Sequence, residues 1–148
     1  MEIELYIFNK IPDDVIEGMV TLHKCIFGLN DDLKNKISNK PPLLAIIAMK
    51  GRNKVIGYKI GYPLDSQTFY SWLGGVDPTY RNLGIASRLM EKQHTYLRDN
   101  GYKVVQTKTM NKWRNMLILN IKHGFDVIKT YTDEKGLHKI VLEKKLND

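Results

Sequence analysis

The sequence lacks the features that mark several classes of protein. Cys25 is the only cysteine among 148 residues, so no internal disulfide can form and a reducing compartment is expected. No apolar run reaches the roughly 20 residues that a membrane-spanning helix requires. The opening stretch, MEIELYIFNK, is acidic and alternating, which is not typical of a signal peptide. We therefore expect a cytoplasmic protein that does not enter a membrane.

Motifs for metals and nucleotides are also missing. The four histidines are widely separated and show no H-x-x-x-H spacing, so no metal site is predicted. Neither G-x-x-x-x-G-K-[ST] nor G-x-G-x-x-G occurs, which excludes the usual phosphate loop and the dinucleotide fingerprint.

Negative charge is scarce relative to positive charge. The chain has 23 Lys and Arg against 16 Asp and Glu, a formal net charge of +7. Such an excess suits an anionic partner, either nucleic acid or an acidic small ligand. The lysines are spread along the chain, however, without a dense basic run before the closing EKK. This pattern disfavours nucleic-acid binding and is typical of a solvated, lysine-rich surface.

Hydrophobic patterning predicts one mixed α/β domain that spans residues 1–148. A first helix opens at Pro12-Asp13 and ends at Gly28, and Cys25 on its apolar stripe is predicted to be buried. Three consecutive antiparallel strands precede a long helix, which Asn100-Gly101 closes. The whole predicted order is β-α-α-β-β-β-α-β-α-β-β.

The segment GGVDPTYRNLGIASRLM, residues 74–90, connects the third of these strands to the long helix. Leu83 stands in the usual capping place, where Ser, Thr, Asp or Asn would be expected. The unpaired N–H groups of a first helical turn and the helix dipole together favour an anion. Gly84 would let a phosphate approach the backbone, and Arg81 would add positive charge or brace the loop. The alternative is a tight strand-to-helix turn without a ligand.

VDPTYRNLGIASRL resembles the V-x-P-x-x-[QR]-x-x-G-x-[GA] signature of the GNAT family of N-acetyltransferases. The predicted element order is similar to that family's over almost the whole chain, and MLILNIKHGFDVI resembles its late helix followed by Gly-Phe. The resemblance implies the acyl-CoA N-acyltransferase fold. That fold is a mixed, mostly antiparallel seven-stranded sheet with about four helices, in which strands 4 and 5 splay apart.

The resemblance further implies that acetyl-CoA is the donor. Backbone N–H groups from Asn82 to Ser87 would hold its pyrophosphate, and the backbone of Val76 would pair with the pantetheine arm. Asn111 would contact the cofactor, although a helix cap is the alternative for this residue. Gly74-Gly75 fits a distorted strand end with a close backbone approach, or else a flexible turn. The implied cofactor-binding residues are Val76, Arg81, Asn82, Leu83, Gly84, Ile85, Ala86, Ser87 and Asn111.

The catalytic groups are less defined by the resemblance. Many family members carry an acidic tyrosine four residues before the glycine of Gly-Phe, and this chain has Asn120 there. Asparagine can donate a hydrogen bond to the departing sulfur but cannot deliver a proton, which favours proton uptake from water. The base is open among Glu17, Asp31, Asp32 and a water relay, while Asp77 is expected to serve a turn or cap.

The function implied by the resemblance is acetyl transfer to a primary amine by direct attack in a ternary complex. The acceptor is open among a small molecule, a peptide N-terminus and a lysine, and a homodimer is left open because many members dimerise. Asn120 in place of tyrosine supports one alternative. In that alternative the protein has the same fold but is a non-catalytic module that binds acyl-CoA or regulates a partner.

Overall fold

The computed structural model describes residues 2–146. Its strands are β1 (Ile3–Phe8), β2 (Leu44–Lys50), β3 (Lys54–Pro63), β4 (Thr68–Val76), β5 (Val104–Thr109), β6 (Asp126–Thr132) and β7 (His138–Lys145). Its helices are α1 (Asp13–Phe27), α2 (Leu33–Ser38), α3 (Ile85–Asp99) and α4 (Arg114–Lys122), with a 3-10 turn at Pro78–Tyr80. This order is the predicted one. Within the described residues, no helix is long and apolar enough to cross a membrane.

The seven strands form one mixed sheet in the order β1-β2-β3-β4-β5-β7-β6. β4 and β5 are parallel, and their ladder pairs Thr68–Ser71 with Val104–Thr107. β4 nevertheless continues to Val76 and β5 to Thr109. The ladder thus ends before either strand does, as expected for splayed strands, and the predicted fold class is confirmed.

The first of two compact units contains the chain up to Tyr62 together with Leu73–Gln93. β2 is buried along nearly its whole length between its antiparallel neighbours β1 and β3. α1 buries Met19 completely and approaches β3 closely at Gly18. A Cβ added there would lie 2.7 Å from Val55 Cγ2, so only glycine allows this helix-to-sheet distance.

The second unit contains Pro63–Trp72 and the chain from His94 onward. Its core includes Val105 and Leu142, both fully buried, and the rings of Phe69 and Tyr102 meet edge to face with centroids 5.6 Å apart. β5 and β7 are antiparallel, and β6 is an edge strand with all seven residues exposed.

The ends of α1 and α3 lie where the sequence predicts them, but one residue that was predicted to be buried is exposed. Gly28 after α1 has a φ of 104° and Gly101 after α3 a φ of 88°, conformations that favour glycine. Cys25 is exposed, so its predicted burial is wrong. The stripe of α1 that faces the core passes through Leu22 and His23 and leaves position 25 on the solvent side.

Candidate active site

The loop between β4 and α3 is built around Asp77. Its N–H donates to the carbonyl of Ile56 at 2.8 Å, which fixes the loop to the start of β3. Its side chain accepts from the Thr79 N–H at 2.9 Å and caps the 3-10 turn, and its carbonyl accepts from the Tyr80 N–H at 2.8 Å. The prediction of a turn or capping role for Asp77 is confirmed.

The N-cap residue of α3 is a glycine and has no side chain to cap the helix. The Arg88 N–H donates to the carbonyl of Gly84 at 3.1 Å, so Gly84 is the N-cap residue and the prediction that Leu83 holds this position is wrong by one residue. Leu83 is 60% exposed. The N–H groups of Gly84, Ile85 and Ala86 have no acceptor inside the helix, and Ser87 completes this first turn.

Gly84 has the geometry of a cradle. Its φ is 76°, and a Cβ added there would meet no atom within 4 Å. Asn82, two residues earlier, also has a positive φ, of 66°. The space in front of Gly84 is therefore open, and the backbone conformation that exposes it favours glycine. The open space and the helix N-terminus together suit a phosphate group.

Arg81 braces the loop. Its Nε donates to the carbonyl of Val76 at 3.3 Å, which ties the turn back to the last residue of β4. Of the two predicted roles for Arg81, the structure shows the brace.

Gly74 and Gly75 belong to β4 and do not form a turn, so the flexible-turn alternative is wrong. A Cβ at Gly74 would lie 3.0 Å from the carbonyl oxygen of Tyr58, and a Cβ at Gly75 would lie 2.7 Å from Ile26 Cδ1. Gly74 allows a close approach of β3, and Gly75 allows a close approach of α1. The prediction of a close approach at these glycines is confirmed.

The early carboxylates make structural contacts. Asp32 caps α2 by accepting from the Asn35 N–H at 3.1 Å. Glu17 pairs with Lys34 at 2.9 Å, both largely exposed, an arrangement worth little to stability. Asp31 accepts from Lys36 at 2.6 Å and lies 2.9 Å from His23 Nε2. Asp31 alone among these three is joined to a buried group.

The buried group is His23, which also contacts Tyr58, and the sequence did not predict this network of His23, Tyr58 and Asp31. His23 Nδ1 is hydrogen-bonded to the hydroxyl of Tyr58, and His23 and Tyr58 are 1% and 0% exposed. Burial, together with the charge of Asp31, raises the pKa of Tyr58 well above its usual value. The only sequence signal was a polar residue, His23, within the apolar stripe of α1.

Two further groups in this unit have altered proton affinity. Burial lowers the pKa of Lys59, on β3, to about 8. The hydrogen bond from Lys50, 3.0 Å long, lowers the pKa of Tyr80 despite the opposing effect of burial. The ammonium groups of Lys50 and Lys54 also lie 5.2 Å and 5.4 Å from the centre of the Tyr80 ring.

The residues predicted around α4 lie in the second unit. Asn120 is 3% exposed, and its carbonyl accepts from the Phe125 N–H at 3.0 Å. Asn111 is exposed in the turn before α4. The N-cap of α4 is Trp113, whose side chain makes no capping hydrogen bond, so the alternative that Asn111 caps the helix is wrong. Within the described residues, no cluster of His, Cys, Asp and Glu could hold a metal ion.

Comparison with known proteins identifies the family. The model of the Acetyltransferase (GNAT) family matches residues 16–118. The chain belongs to the GNAT acetyltransferase family. The matched range contains the β4–α3 loop and all of α3, and it ends within α4. No match was found among curated proteins.

Solved GNAT-fold structures resemble the chain over nearly its whole length. The NatC complex bound to Gag peptide and CoA aligns with a TM-score of 0.82 and 19% identity, covering 99% of this chain and 100% of that one. The ribosomal-protein-S18-alanine N-acetyltransferase from Escherichia coli gives 0.81 and 15%, covering 98% and 96%. Aminoglycoside 6'-acetyltransferase type Ii gives 0.80 and 12%, covering 98% of each chain. The TM-scores show a shared fold, and at these identities they show the fold alone.

Proposed function

We propose that the protein is an acetyl-CoA-dependent N-acetyltransferase that moves an acetyl group to a primary amine. The observation that carries this proposal is Gly84, a residue with a positive φ that faces open space at the N-terminus of α3. Membership of the GNAT family, in which acetyl-CoA is the donor, supports it. The family membership alone would not say whether this chain retains a usable cofactor site, and the geometry at Gly84 supports that it does.

The pyrophosphate of acetyl-CoA is proposed to cap α3. Its oxygens would accept from the N–H groups of Gly84, Ile85 and Ala86, with Asn82, Leu83 and Ser87 completing the loop and the first turn. Arg81 contributes by holding the turn closed against Val76. The pantetheine arm would follow the end of β4 and pair with the backbone of Val76. Asn111 and Asn120 belong to the other unit, and their contact with the cofactor is proposed from the family resemblance alone.

The proposed chemistry is direct attack of the neutral amine on the thioester carbonyl carbon. A C–N bond forms, the C–S bond breaks, and the thiolate of CoA leaves. Backbone N–H groups between Leu73 and Val76 would stabilise the negative charge on the carbonyl oxygen. Asn120 would donate a hydrogen bond to the sulfur, and the thiolate would take its proton from water, because an asparagine has none to give. Water would also accept the proton of the amine.

The acceptor, compartment and assembly are proposed in general terms. A cytoplasmic protein fits a chain with one cysteine. The net charge of +7 favours a neutral or acidic acceptor over a strongly cationic one. One structural neighbour is bound to a peptide and another is an aminoglycoside acetyltransferase, so both macromolecular and small-molecule amines stay open. A homodimer is compatible with the family.

One observation favours a second candidate function. Asn120 stands where many family members have the tyrosine acid, and it is buried in α4. A chain that kept the cofactor cradle but lost catalysis would be a regulatory or acyl-CoA-binding module.

Calorimetric titration with acetyl-CoA tests the property that both functions share. We expect saturable binding with one site per chain. An absence of heat and of displaceable binding at millimolar acetyl-CoA would contradict both functions. If acetyl-CoA binds, thiol release in the presence of amines distinguishes the enzyme from the non-catalytic module.

A further inference from the structure

The buried network in the first unit lies against the end of β4. It joins His23 on α1, Tyr58 on β3 and Asp31 after α1, and the acetyl-transfer chemistry proposed above uses none of them. His23 lies between the other two, with Nδ1 bonded to the Tyr58 hydroxyl and Nε2 2.9 Å from Asp31 Oδ1.

The contact between His23 and Asp31 is close but is not an aligned hydrogen bond. Nε2 of His23 lies 2.9 Å from Asp31 Oδ1, and among the described residues this nitrogen has no well-aligned hydrogen-bond partner. Asp31 is itself held by Lys36 at 2.6 Å. The chain of contacts therefore runs from a partly exposed ion pair to a fully buried phenol, and it fixes the orientation of the Tyr58 side chain.

The rings of Tyr58 and Phe27 border the place where a side chain at Gly75 would lie. Cε1 of Tyr58 and Cε2 of Phe27 each lie 3.7 Å from the position of a Cβ added at Gly75. The Phe27 ring in turn packs on His23, with centroids 4.6 Å apart. His23 thus contacts both rings that border the Cβ position of Gly75, and Gly75 has no side chain of its own to fix its position.

We propose that His23, Tyr58 and Asp31 act as positioning residues for acetyl transfer by holding the Gly75 backbone in one conformation. The inference rests on the proposed function, which places the thioester beside the Leu73–Val76 backbone. The three side chains do not touch the reacting atoms. They act through the two rings, and their effect is on the geometry of the oxyanion contacts rather than on the pyrophosphate cradle at Gly84.

The first test removes one oxygen atom. Tyr58→Phe deletes the hydroxyl that His23 holds, and Tyr62→Phe makes the same deletion on the same strand, outside the network. The assay is thiol release from acetyl-CoA alone, with water as acceptor, beside calorimetric affinity for CoA. We expect Tyr58→Phe to slow thiol release about 10- to 100-fold, as small misplacements near a reacting centre do, with CoA affinity within about twofold of the parent. Equal rates in the two variants would overturn the inference.

The second test separates the two ring nitrogens of His23. His23→Asn places an amide where Nδ1 stood and can retain the bond to Tyr58, whereas His23→Gln places it where Nε2 stood and can retain only the contact with Asp31. A positioning role through Tyr58 requires that the asparagine variant keep more of the thiol-release rate than the glutamine variant. A general loss of packing would lower both alike, and that result would contradict the proposal.

A third readout needs no turnover. Exchange broadening of the Gly75 amide in nuclear magnetic resonance relaxation reports a second backbone conformation there. We expect broadening in Tyr58→Phe and none in Tyr62→Phe. An unbroadened Gly75 signal in both variants would refute the positioning role even if acetyl-CoA binds. Failure of the protein to bind acetyl-CoA would refute the proposed function while the Gly75 signal still decides this inference.

Discussion

Replacing Gly84 by alanine should weaken acetyl-CoA binding far more than it weakens the fold. The left-handed conformation costs a residue with a Cβ about 1–2 kcal/mol, and Gly84 has a φ of 76°. Gly136, in the β6–β7 turn, provides a matched control because its φ is 81° and a Cβ there also meets nothing within 4 Å. Both alanine variants should therefore lose similar stability, a fall in Tm of about 3 °C per kcal/mol for a chain of this size.

The effect on binding should differ between the two variants. At Gly84 the new methyl group occupies the space through which the pyrophosphate would approach the first-turn N–H groups of α3. A hydrogen bond to a charged group contributes about 1.5–3 kcal/mol, so losing one raises the Kd for CoA roughly 10- to 150-fold. Gly136→Ala should leave the Kd unchanged.

Calorimetry of CoA binding and thermal unfolding, carried out on both variants and the parent protein, gives the complete comparison. Equal CoA affinity in the Gly84 and Gly136 variants, at matched stability, would refute the assignment of the cradle.

Two further predictions concern stability in the first unit. Burial opposes it, but the hydrogen bond from Lys36 and the contact with His23 hold the pKa of Asp31 below its usual value. The contribution of Asp31 to the free energy of unfolding is therefore complete above the unfolded pKa of about 3.9 and is lost as the pH falls through the folded pKa. Denaturant unfolding should show a shallower acid dependence below about pH 4 in Asp31→Asn than in the parent, and identical profiles would contradict this. Gly75→Ala should lower the free energy of unfolding by about 1–3 kcal/mol because its Cβ would lie 2.7 Å from Ile26 Cδ1. Ile26→Val removes that atom, so the double variant should recover part of the lost stability. Strictly additive free energies of unfolding would indicate another cause.

The fold was predictable because its signals are local. Alternating apolar strands, the proline-acid opening of α1 and the glycine ends of α1 and α3 each specify one element without reference to the others. The limits of local reasoning are visible at Leu83 and Cys25. A one-residue shift of the α3 N-cap to Gly84 and a rotation of the α1 stripe both lie within the uncertainty of periodicity.

The positioning network could not have been found in this way. His23, Asp31 and Tyr58 come from three separate segments, and only the packing of α1 on β3 brings them together. A histidine in an apolar helical stripe is compatible with many partners, and nothing in the strand VIGYKIGY distinguishes Tyr58 from Tyr62. Long-range contacts of this kind depend on tertiary structure, whereas the cradle at Gly84 depends on consecutive residues.

The most direct test of the central claim is thiol release from acetyl-CoA, measured against a panel of primary amines that includes peptide N-termini, lysine peptides and small polyamines and amino sugars. We predict that at least one class of amine accelerates thiol release above the rate with water, and that Gly84→Ala loses this activity at subsaturating acetyl-CoA while Gly136→Ala retains it. Binding of acetyl-CoA without acceleration by any of these amines would contradict the assignment as an N-acetyltransferase and would favour the non-catalytic module.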